Sequence, residues 1–217
     1  VAGAERVANV VKALSKGASL EQRLACIDNG QTHANAVKEF FSKLDDDLQA
    51  EHLDPSPSIV RILPAGNRVR LFKLVTATCR SGAMMRLLPG PNETWSLDWP
   101  LFSQTHEQRF DKFVSSIQKP EESQAEWFKV LCKRRHDFEL PKEVKDGYTS
   151  FEAQGSLATT GTTSIYVNND LPAGRLLGSR IAWGQIYLAE LLVSKAQVGG
   201  KTVHVILDCA GTDTGPK

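Results

Sequence analysis

The apolar residues of this chain recur every three to four positions up to Leu48 and mostly every second position after Pro55-Ser56-Pro57. A helix-period pattern does not settle as a strand, nor the reverse. The sequence therefore predicts a helical opening followed by strands. In residues 5–14, Val7, Val10, Val11 and Leu14 mark one helical face, and Gly17 ends it. Ser19, with Gln22 three positions on, forms a capping box for a second helix. That helix stops at the αL-prone pair Asn29-Gly30. A third and longest helix is expected over residues 32–48. Its apolar stripe is Ala36, Val37, Phe40, Phe41 and Leu44, with Asp45-Asp46-Asp47 facing water.

Beyond the proline break, strands are expected at 59–63, 68–80, 83–88 and 95–98, with turns at Gly66-Asn67, Ser81-Gly82 and residues 89–92. Residues 102–117 read as a helix with Phe110, Phe113, Val114 and Ile117 on one side. Further strands are expected at 127–138, 148–156 and 163–168, and a short helix at 171–181. Residues 183–194 carry signals of both kinds. Gly184, Trp183, Ile186 and Tyr187 favour strand, while residues 189–192 favour helix; we take strand. Gly199-Gly200 turns the chain into a last strand at 202–209. The order predicts an α+β fold with curved antiparallel sheet, in which a helical segment (1–30) precedes an α+β domain (31–211) with sub-lobes divided near 100–120. Residues 212–217 form a flexible polar tail.

Composition excludes several classes. The 217 residues carry 26 basic and 25 acidic side chains, a net charge of +1, which is no footprint for nucleic acid. No stretch approaches the roughly 20 apolar residues of a membrane span. The chain starts at Val1, and residues 1–6 lack the apolar core of a signal peptide. An exported or anchored protein whose signal has been removed fits that start. Cys26, Cys79, Cys132 and Cys209 are too widely spaced for a metal motif and read as buried free thiols, although two disulfides are formally open. The five histidines are scattered, and no cofactor motif is present.

Helices preceding a meander, with the joint Ser96-Leu97-Asp98-Trp99-Pro100-Leu101-Phe102 between halves, resemble the cystatin-like and NTF2-like α+β folds of uncharacterised bacterial proteins. The resemblance covers about residues 34–208 and implies a helix lying in the concave face of a bent sheet. It transfers no catalytic residue. The four tryptophans, Trp95, Trp99, Trp127 and Trp183, read as core and joint anchors.

Gly200-Lys201-Thr202 imitates the end of a phosphate-binding loop, but Lys195 stands where the first glycine is required and a strand follows. The charged run 132–137 reads as an exposed face protecting a sheet edge. No nucleophile–base or paired-carboxylate spacing appears. The function expected from these features is a non-catalytic binding or assembly domain of an exported or envelope-associated bacterial protein, with a protein or small molecule as partner. The alternative is a small-molecule carrier or enzyme with a concave pocket. A pocket would open on the face carrying Phe128, Val130, Cys132 and His136, with Trp183 or Tyr187 from a neighbouring strand, because that face mixes apolar groups with one titratable group. The competing assignment makes His136 a satisfied edge residue.

Overall fold

Local chemistry sets most element boundaries in the computed structural model, which describes residues 2–15, 17–44, 50–53, 57–90, 94–117, 119–136, 139–157 and 161–210. Asp45-Asp46-Asp47, Phe138 and the tail from residue 212 lie outside the described residues. Seven α-helices and ten strands occur among the described residues, a mixed α+β architecture. They form two compact units. One comprises Val1–Ile59, Arg70–Gln108 and Ser156–Ala158; the other comprises Val60–Val69, Arg109–Gly155 and Thr159–Lys217.

In the first unit, α1 (Ala2–Leu14) and α2 (Leu20–Ala25) are followed by α3 (Ala34–Lys43). The Ser19–Gln22 capping box forms in both directions. The third helix is shorter than its apolar stripe predicts. Its first turn is a 3₁₀ turn, Gly30–His33, entered through Asn29 in the αL conformation, and Leu44 closes its other end. Its Val37, Phe40 and Phe41 are buried, whereas Ala36 is exposed.

The unit's sheet is antiparallel. Strand β3 (Arg68–Thr76) pairs with β1 (Ala50–Leu53) and with β4 (Ala83–Pro89), and β4 pairs with β5 (Trp95–Leu97). Arg68 and Val69, at the start of β3, belong to the second unit. The core joins Val37, Phe40 and Phe41 to Phe72, Leu74, Met85 and Leu97.

The tryptophan joint becomes the start of α4 (Trp99–His106). Asp98 caps it by accepting a hydrogen bond from the Leu101 N–H at 3.2 Å. The same carboxylate pairs with Arg86 at 3.7 Å, both side chains buried. Trp99 is 2% exposed and packs edge-on against Phe40, with ring centroids 5.0 Å apart. The expected single helix over 102–117 is broken. Gln108 takes a positive φ of 55°, and α5 (Arg109–Ser115) starts afresh after it. Of the four tryptophans, Trp99 is the buried anchor; Trp127 and Trp183 are 41% and 50% exposed, and Trp95 is partly exposed.

The second unit holds a closed five-stranded barrel. Its strands are β6 (Glu126–Arg134), β7 (Tyr148–Gln154), β8 (Thr163–Asn168), β9 (Ile186–Val198) and β10 (Lys201–Ala210). They follow the order β10-β8-β7-β6-β9, and β9 closes the ring by pairing with β10. The sheet is not wholly antiparallel as expected. β10 runs parallel to β8, and β2 (Ser58–Ile62) runs parallel to β9. The residues at 183–194 are strand as read, but β9 starts at Ile186 and continues to Val198.

Two helices close the barrel's ends. α7 (Pro172–Arg180) links β8 to β9 and buries Ala173 and Leu177 in the barrel core. Gly174 lies so close to β8 that a Cβ would stand 2.1 Å from the Asn168 carbonyl oxygen. At the other end, Phe110 and Phe113 of α5 sit 5.4 and 5.0 Å from Phe128, centroid to centroid.

No helix among the described residues is long and apolar enough to cross a membrane. All four cysteines are free thiols. Emptying a large core site costs about 3–5 kcal/mol, so Trp99→Ala is expected to lower unfolding stability by that amount in a denaturant titration. A loss no larger than that of Trp127→Ala would place Trp99 outside the load of the core.

Candidate functional site

The interior of the barrel is written in alternating residues of β9. Tyr187, Ala189, Leu191 and Val193 all point inward and are buried. The next residue in phase is Lys195, only 6% exposed. On β10, Ile206 faces the core and His204 follows in the same phase. The register sets Ile206 opposite Val193 and His204 opposite Lys195. Directly opposed side chains of an antiparallel pair start about 4.5–5.5 Å apart at Cβ. The hairpin makes this register with Gly199 and Gly200, at φ 56° and 80°, backbone angles that two-residue hairpin turns require. An apolar column thus ends at the barrel mouth in a lysine–histidine pair.

The facing wall comes from α5 and the chain after it. Phe113 lies 6.1 Å from the His204 ring and 5.8 Å from the Lys195 ammonium. Lys195 Nζ donates to Ser116 Oγ at 2.8 Å and to the Ser116 carbonyl. Ser116 Oγ in turn donates to the Phe113 carbonyl at 2.8 Å. Between these walls lies a cleft of about 410 Å³. Lys119 and Glu121 stand at its rim side, with Gln197 and Thr202 from the hairpin.

The pair is electrically unbalanced. Lys195 has three N–H donors and two hydrogen bonds, both to Ser116, and no carboxylate among the described residues pairs with it. Burial, then the neighbouring Lys195 charge, hold the His204 pKa below the usual histidine value, opposed by a bond to the Val114 backbone. The His204 Nε2 is buried, with no partner among the described residues. The cleft therefore offers one donor, the third N–H of Lys195.

The site expected from the sequence divides. Phe128, Val130 and Cys132, with Tyr187, lie buried in the barrel core among Phe151, Ala153 and Leu191. Burial also pushes the Cys132 thiol far up, the Cys209 neighbour adding to it. His136 lies two residues past the end of β6 and is exposed. It stacks on half-exposed Trp183 at 4.5 Å, and the Arg134 guanidinium lies 4.9 Å over the same indole. Arg134 also donates to the Gly178 carbonyl in α7, a cation at a helix C-terminal end. Thus His136 and Trp183 meet at the surface, and Phe128, Cys132 and Tyr187 meet in the core; no single face holds all five.

Lys195 escapes a reading that ends the strand at Ser194, whereas His204 falls within the strand read at 202–209 but on no expected site face. The available signal was phase: alternation continued two residues further puts a lysine on the buried side. No group of His, Cys, Asp and Glu fit for a metal occurs among the described residues. No protein-family model matches the chain, and neither the curated proteins nor the solved structures searched contain a match.

A histidine whose folded pKa is depressed binds fewer protons than its unfolded counterpart, so its contribution to stability is present above about pH 6.5 and is lost as pH falls toward the folded value. The charged groups around His204 are Lys195 from β9 and Lys119 and Glu121 from the segment after α5. β8 presents Ile165 opposite it, and α5 presents Phe113 and the Val114 carbonyl. Urea midpoints measured from pH 8 to pH 5 are expected to fall less steeply in His204→Leu than in the unchanged protein. Parallel curves would mean that His204 titrates alike folded and unfolded.

Proposed function

We propose that the chain is a non-catalytic binding protein whose barrel mouth takes a small anion. One observation carries this: among the described residues, the Lys195 ammonium is buried beside an open cleft with one N–H unsatisfied and no carboxylate to neutralise it. An unpaired buried charge costs several kcal/mol, and an anion in the cleft offsets that cost. A domain serving only assembly has no use for such a group, which is why ligand binding is favoured over the assembly role.

What supports the cystatin-like or NTF2-like reading of residues 34–208 is the first unit's combination of helices with antiparallel strands. The core there buries Phe40, Phe41, Trp99 and Phe102, while the cleft beside Lys195 that supports ligand binding belongs to the second unit. A five-stranded barrel of this kind resembles the OB-type barrel, whose sheet face and loops take oligonucleotides or oligosaccharides. Here Tyr166, Val203 and Val205 are covered by Leu140 and Val144, and that face is not the site proposed. The fold likeness alone assigns no function.

The 2.8 Å Lys195–Ser116 contact also invites a serine–lysine nucleophile pair. The serine proton is already committed to the Phe113 carbonyl, which favours binding over acyl transfer.

Binding to the native state alone stabilises by about 2.7 kcal/mol at a hundred times Kd. Thermal unfolding in a panel of acetate, lactate, citrate and inorganic phosphate is therefore expected to show an upward shift with at least one of them. The shift should vanish in Lys195→Met. No shift with any anion, or an equal shift in Lys195→Met, would refute the site.

A further inference from the structure

Resting on the anion site just described, we propose that its ligand is an alkyl monocarboxylate, one carboxylate head carrying an apolar chain. The head follows from the number of donors. Ser116 holds two of the three Lys195 N–H groups, which leaves one donor and one positive charge for a ligand. A phosphate group brings three strong acceptor oxygens, and a single N–H leaves most of them without a protein partner. A carboxylate brings two oxygens, one for Lys195 and one for water at the open side of the cleft. Lys119 and Glu121 at the rim are exposed and of opposite sign, so together they add no net charge.

The chain follows from the room and from what lines it. The cleft measures about 410 Å³, within the range of small-molecule pockets and far more than a carboxylate occupies. On the hairpin wall, Gln197 and Thr202 stand directly opposite each other in the register, and Gln197 Nε2 donates to Thr202 Oγ1 at 2.8 Å. These two polar side chains are thus partnered with each other. The facing wall contributes Val114, Ile117 and Pro120, and Phe113 lies beside the ammonium. Ile117 is 99% exposed. The carbonyl that accepts from Lys195 Nζ belongs to the peptide unit joining Ser116 to Ile117, so the uncovered isoleucine begins one peptide unit from the charge. A carboxylate on Lys195 therefore starts its chain beside apolar surface that no protein group covers. Each CH₂ fully removed from water tightens binding about fourfold, and an open cleft removes only part of each.

Straight-chain acids separate the head from the chain. Calorimetric titration of the full chain at pH 7.5 with acetate, butyrate, hexanoate and octanoate is expected to show affinity rising along the series. Octanoate should bind at least tenfold tighter than acetate. 1-Octanol has the same chain without the charge and should bind at least tenfold more weakly than octanoate. Ile117→Ser is expected to narrow the octanoate-to-acetate ratio threefold or more, and Lys195→Met should abolish binding of every acid. Equal affinities along the series, still dependent on Lys195, would overturn the chain and leave the anion site standing. Inorganic phosphate binding more tightly than octanoate would overturn the head in the same way. An octanol affinity equal to that of octanoate, or a ratio unchanged in Ile117→Ser, would overturn the placement of the chain beside Lys195. Absence of binding by all four acids, with no anion of the wider panel bound, would overturn both proposals. The acid series and octanol on the unchanged protein decide the matter even where Lys195→Met does not fold.

Discussion

The pairing of β9 with β10 is what the second unit depends on, because it turns an open run of strands into a ring. A closed sheet has no free edge inside the ring, and its interior width is set by strand number. Eight strands leave space for side chains or one small ligand; five leave less. Phe128, Val130, Cys132, Phe151 and Leu191 are buried together in this interior, and the cleft beside Lys195 lies at one end of the barrel. One end is taken by α7, whose Ala173 and Leu177 join the core. At the other end, α5 covers Phe128 but leaves Lys195 and His204 beside the cleft. The chemistry of the site follows from where the apolar column of β9 runs out.

The first unit solves a different problem, that of turning the chain from a strand into a helix inside a core. Asp98 does it with one carboxylate, capping α4 and pairing with Arg86 while almost wholly buried. A buried charge pair is tolerated where further hydrogen bonds satisfy it, and the Asp98 N–H donating to the Arg86 carbonyl at 3.0 Å ties the two residues again through backbone. Farther along α4, Thr105 accepts from the Met84 N–H, and His106 Nε2 lies 3.1 Å from Thr76 Oγ1. This helix is fixed to its strands by polar contacts as well as by Trp99 and Phe102.

How much of this was open to reading from sequence depends on the range of the interaction. Signals carried within a few residues held: the Ser19–Gln22 box, the turns at Gly66 and Gly199-Gly200, and the strand character of Ile186 onward. Helix lengths were overstated where a residue departed from helical geometry without a glycine or proline to announce it, as Gln108 does between α4 and α5. Parallel pairing of β8 with β10 could not be read, since it arises from ring closure between strands joined through α7 and β9. The candidate site suffered both faults. His136 was carried along the phase of β6 past Arg134, where the strand stops, and Lys195 was dropped because the reading of β9 stopped early.

The interleaving of the two units has a further meaning for how the molecule is made. Val60–Val69 belongs with the barrel although Arg70–Gln108 does not. Leu63 is buried in the barrel core, and its N–H donates to the Leu188 carbonyl. Arg61 and its hydrogen-bond partner Gln185 are 124 residues apart. At a synthesis rate of roughly 5–20 residues per second, the early segment leaves the ribosome on the order of ten seconds before β9 exists to receive it. During that interval β2 has only its sequence neighbour β3 to pair with, and Leu63 lacks the barrel core and the Leu188 carbonyl that it later meets.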